Sequence, residues 1–85
     1  MSGNVAETLR KNIEVGRRAR GLTQVQLGSR VGRCWRTIHR WEAGLTVPSL
    51  EMVQSLALAL RVRPERLQYE PTGDFKASFA DKEED

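Results

Sequence analysis

Residues 22–44 read LTQVQLGSRVGRCWRTIHRWEAG. Two short helical patterns stand back to back in this stretch, with Gly32 between them. Thr23 opens the first. Its hydroxyl can accept a free backbone N–H of the first turn, and Gln26, three residues on, can reach back to complete a capping box. Leu27 and Val31 are four apart and share a face. Gly28 lies between them in the helix interior, where glycine costs about 1 kcal/mol against alanine. Close approach of the next helix is the expected reason. Gly32 can take the positive φ at which a helix ends and the chain reverses.

A second helix is predicted over residues 34–43, closed by Gly44. Helical periodicity puts Cys34, Thr37, Ile38 and Trp41 on one side and Trp35, Arg36, His39 and Arg40 on the other. The first side is largely apolar and faces inward. The second is basic and aromatic. Arginine can donate two hydrogen bonds to the O6 and N7 of guanine and pairs strongly with phosphate. The two segments therefore read as a helix-turn-helix whose second helix lies in the major groove of DNA.

Three pieces, LTQVQLGSRVG, TIHRWEAG and PSLEMVQSLALAL, resemble the phage-repressor/Cro-like helix-turn-helix family, also called the XRE family, and the likeness extends over residues 9–67. The resemblance implies an all-α fold: a five-helix domain with helices 2 and 3 forming the helix-turn-helix. It implies that Gln24 contacts a phosphate and steadies the recognition helix. Trp35 and Arg36 then face base edges, Arg40 reaches bases or a phosphate, and Glu42 forms an internal ion pair with Arg17. In the family the loop after the recognition helix offers backbone N–H groups to a phosphate, a place that Thr46 fills here. Four positions depart from the family pattern. Arg33 stands where an apolar residue is usual, Cys34 at an N-cap that is usually Ser or Thr, Trp35 where a small or polar residue is usual, and Arg61 where a glycine is usual. Indole has one donor and no acceptor, so Trp35 cannot read a base as Arg or Gln does.

The length of 85 residues fits one small domain, and 29% charged with 39% apolar residues fits a soluble globular chain. No apolar run approaches a membrane span and no secretory signal opens the chain, so the cytoplasm, in association with the nucleoid, is the expected location. One cysteine excludes an internal disulfide, and one histidine beside it excludes a zinc site of familiar spacing. No cofactor is expected. The net charge of +3 hides an asymmetry. Residues 1–69 hold twelve Lys or Arg against five Asp or Glu, whereas residues 70–85 hold two against six. A basic body implies a polyanionic partner.

Working outward, Asn4 and Glu7 carry a capping signature, so helix 1 is expected near Val5, with Leu9, Ile13 and Gly16 on its inner face. Arg17, Arg18 and Arg20 suit its C-terminus. Ser49 is expected to cap a fourth helix that turns Leu50, Val53, Leu56, Ala57 and Leu60 into the core. Pro64 opens a short fifth helix over residues 64–68. The domain is thus 1–69, followed by an acidic tail over 70–85 that is disordered at its extreme end. Phe75 and Phe79, four apart, are expected to dock on the body or on a protein partner.

No phosphate loop, metal-binding helix or nucleophile elbow occurs, and Cys34 and His39 fall on different sides of their helix, so no enzyme is expected. Cys34 reads as a small buried residue and His39 as a surface group. The function expected is a dimeric DNA-binding transcriptional repressor reading an inverted repeat. Its DNA contacts are Gln24, Arg33, Trp35, Arg36, Thr37, His39, Arg40 and Thr46. The alternative is a protein-interaction module, an antitoxin or adaptor, with Trp35 as its anchor.

Overall fold

Side-chain acceptors stand at four helix starts in the structure, a computed structural model that describes residues 4–80. Asn4 accepts the Glu7 N–H at 2.7 Å and so begins α1 (Val5–Ala19). Thr23 accepts the Gln26 N–H at 3.0 Å while the Gln26 side chain accepts the Thr23 N–H at 2.9 Å, a complete capping box at the head of α2 (Gln24–Val31). The Cys34 sulfur accepts the Arg36 N–H at 3.3 Å and begins α3 (Trp35–Ala43). Ser49 accepts the Met52 N–H at 3.2 Å and begins α4 (Leu50–Leu60). Proline at the first helical position opens α5 (Pro64–Tyr69). The described residues continue into α6 (Thr72–Ala80).

The fold is all-α among the described residues, with α2 and α3 forming the helix-turn-helix. Helix α1 is the central element: it packs against α3, α4, α5 and α6, while α2 lies on α3 and α4. One cluster holds the elements together, including Leu9 and Ile13 of α1, Leu27 of α2, Ile38 and Trp41 of α3, Val53, Leu56 and Leu60 of α4, Leu67 of α5 and Phe75 of α6. Burial of this apolar area is the main source of stability.

Helix α6 adds a sixth helix to the expected five. Phe75 is fully buried on the protein's own body, and Phe79 packs edge-on against it at 5.1 Å between centroids. Two arginines clasp this pair. The Arg20 guanidinium lies 5.0 Å over the Phe79 ring, and that of Arg66 lies 5.5 Å over Phe75 while donating to the Ser78 hydroxyl at 2.7 Å. Gly16 makes room for the approach: a Cβ there would stand 3.1 Å from Leu60 Cδ1 and 3.5 Å from the Phe75 ring. The disorder expected at the extreme end concerns residues 81–85, which lie outside the described residues.

Asn12, a polar residue with no signal in the helical pattern, is fully buried in α1. Its Nδ2 donates to the Leu67 carbonyl at 3.1 Å and the Glu70 carbonyl at 2.9 Å, with a longer contact to Arg66 at 3.4 Å. The Leu67 and Glu70 carbonyls lie at and just past the end of α5, where a helix leaves its last carbonyls without intrahelical partners. The Asn12 side-chain oxygen has no partner among the described residues.

Two expectations about burial are corrected. Leu50 is 65% exposed, because it is the first residue of α4 and projects past the end of the core. Cys34 is exposed as well: it is the N-cap, outside the helix, so helical angles do not describe where it points.

Candidate nucleic-acid interface

The turn between α2 and α3 sets how the second helix is presented. Gly32 ends α2 with φ 72°, and the Arg33 N–H donates to the Gly28 carbonyl at 2.8 Å. That bond folds the turn back onto α2. A Cβ at Gly28 would collide with the Arg33 carbonyl oxygen, so the glycine is required by the turn backbone itself. The close approach is thus to the turn leading into α3.

Helix α3 is then held from its inner side. Ile38 is fully buried, and Trp41 and Glu42 are nearly so. Arg17 of α1 meets Glu42 with two bonds, Nε at 2.6 Å and Nη2 at 3.0 Å, and a third donation goes to the Leu22 carbonyl at 2.9 Å. The hydrogen bond to Glu42, more than the charge itself, raises the Arg17 pKa against the cost of burial. Gln24 of α2 also donates to Glu42, at 3.1 Å. One carboxylate thus ties α1, α2 and α3 together. Such a pair adds little net stability against an apolar substitute, but it selects one arrangement of the helices.

The outer side presents Trp35, Arg36, His39 and Arg40, all exposed. The Arg36 guanidinium lies 5.6 Å over the Trp35 ring, and His39 meets that ring edge-on at 6.3 Å. Thr37 is half-buried at the flank. Arg33 is exposed in the turn and donates to the Gly32 carbonyl at 3.1 Å. Thr46 is exposed in the loop after α3. Gln24 and His39 line one shallow cleft over the Arg17–Glu42 pair.

The arginines of this surface form no ion pair among the described residues. Arg10 and Lys11 pair with Glu7, Arg17 with Glu42, Arg18 with Glu14 and Arg66 with Glu70. Among the described residues, Arg30, Arg33, Arg36 and Arg40 have no carboxylate partner. Four unpaired cations thus lie on α2, the turn and α3, while Arg20, Arg61, Arg63 and Lys76 are unpaired elsewhere among the described residues. Asn12, and the role of Arg20 in holding α6, had no sequence signal beyond the residue types. Asn12 depends on residues 54 to 58 positions on, and Arg20 on Phe79, 59 positions on (79 − 20).

No helix is long and apolar enough to cross a membrane among the described residues. Comparison with family models matches residues 13–67 to a Helix-turn-helix family. Comparisons with curated proteins and with solved structures gave no match. The matched span is more than half of the chain and contains the whole of α2, α3 and α4. The chain therefore belongs to the XRE, or phage-repressor/Cro-like, family of DNA-binding helix-turn-helix regulators.

Proposed function

We propose that this helix-turn-helix regulator is a sequence-specific repressor that binds an inverted-repeat operator as a homodimer. The observation that carries the reading is the exposed outer face of α3, which bears Arg36 and Arg40, without an ion-pair partner among the described residues, on a helix fixed from behind by Glu42. In the major groove Arg36 and Arg40 read guanine edges or grip phosphate. Gln24, Arg33 and Thr46 hold the flanking phosphates, and Thr37 and His39 contact the groove wall. Two copies related by a two-fold axis place their α3 helices about one duplex turn, roughly 34 Å, apart. Exposed apolar side chains on α4, Leu50 and Leu58, are available to such pairing.

The test is a salt series of binding to random duplex DNA, followed by selection from a random pool. A steep fall of affinity with salt, from counterion release, and enrichment of an inverted repeat support the reading. Binding without enrichment contradicts sequence-specific repression. A second reading, a protein-interaction module, rests on the 45% exposure of Trp35, which suits an aromatic anchor. That reading gains if no duplex is bound at low salt.

A further inference from the structure

Trp35 is the least explained side chain on the recognition face. It is a large apolar group at the first position of α3, 45% exposed, outside the core cluster. Its indole offers one donor and no acceptor, so it cannot distinguish bases by paired hydrogen bonds. What it does offer is an apolar surface. In the major groove the apolar feature of a base edge is the C5 methyl of thymine. Its two neighbours add a second observation. The Arg36 guanidinium stands 5.6 Å over the ring, and His39 abuts it edge-on at 6.3 Å, so ring and guanidinium form one unit. An arginine held against an aromatic face keeps its fork of donors but loses rotational freedom.

We infer, on the reading that α3 enters the major groove, that Trp35 recognises a thymine methyl and holds Arg36 toward the guanine of the adjacent base pair. The half-site then contains a T·A pair next to a G·C pair. Trp35 is a specificity-determining contact, and it positions Arg36 as well.

The experiment uses the full chain and the duplex it selects from a random pool. Uracil in place of the thymine removes the methyl alone. Wild-type protein then binds about fourfold more weakly, the effect of one buried carbon. Trp35→Ala binds the thymine duplex more weakly than wild type and does not distinguish thymine from uracil. Trp35→Phe, which keeps an apolar ring, retains part of the discrimination. Replacing the neighbouring guanine by 7-deazaguanine removes the N7 acceptor and weakens wild type more than Trp35→Ala, because Arg36 is less well held in the variant. Circular dichroism of each variant confirms that the exposed position has left the fold intact. A selected half-site without adjacent T·A and G·C pairs overturns the inference, as does equal wild-type affinity for thymine and uracil duplexes. Either result leaves DNA reading by α3 standing. Failure of the wild-type protein to bind any duplex overturns the DNA reading and this inference together.

Discussion

On the inner face of α3, Ile38, Trp41 and Glu42 are buried, and Glu42 accepts bonds from Arg17 and Gln24 on two other helices. On the outer face of the same nine-residue helix, Trp35, Arg36, His39 and Arg40 are exposed. Arg36 and Arg40 have no ion-pair partner among the described residues. The contrast separates two tasks. Contacts on the inner side determine the orientation of the helix, and their loss is felt as lost stability. Groups on the outer side have their donors free for a ligand, and their loss leaves the fold unchanged.

Substitutions test that division. The largest effect is expected for Glu42→Ala, which strands the Arg17 guanidinium in a buried site and should lower unfolding free energy by about 3 kcal/mol in urea titrations. Arg17→Met combined with Glu42→Leu should recover most of that loss, because no buried charge is left unpaired. Asn12→Ala comes next. It removes the donor that the α5 carbonyls share, at an expected cost of about 2 kcal/mol by the same assay. Arg40→Ala, by contrast, should leave the unfolding midpoint unchanged and weaken binding to the preferred duplex by about 1–3 kcal/mol in a fluorescence titration. A large stability loss at Arg40 would break the division between the faces.

Two smaller predictions sharpen it. Arg61 ends α4 in the left-handed region, φ 62°, where glycine is unstrained. Arg61→Gly should therefore raise stability by about 1 kcal/mol, measured as a higher thermal midpoint. The Glu7 pKa is lowered by its hydrogen bond to Arg10, with a lesser contribution from Lys11. Because its folded value lies below the unfolded one, its contribution is present above the ordinary glutamate range and lost as pH falls through the lowered value. Glu7→Gln should slightly flatten the acid limb of a stability–pH profile. An unchanged acid limb would show that this exposed pair contributes nothing.

Helix starts were legible in the sequence because capping is local chemistry: Asn4, Thr23 and Ser49 each bond a backbone N–H three residues on. The sides of α3 were legible from periodicity, as the burial of Ile38 and Trp41 and the exposure of Arg36 and Arg40 show. Periodicity gave the wrong burial at helix ends, where Cys34 and Leu50 have no turn beyond them to bring them inward. It was also silent where burial depends on distant partners. Asn12 has its partners in and just after α5; for Phe75 the spacing with Phe79 pointed to docking, but not to α1 as the surface that buries it. The residues of the candidate interface were legible as exposed and cationic. Trp35 stacking with Arg36 needed the structure.

The most direct test of the central claim compares wild type with the double variant Arg36→Ala/Arg40→Ala on the selected duplex and on a scrambled one. Unfolding midpoints are measured alongside. An unchanged midpoint and a collapse of the affinity ratio between the two duplexes are expected. An intact ratio in the double variant would contradict that claim, because the outer face of α3 would then not be what reads the DNA.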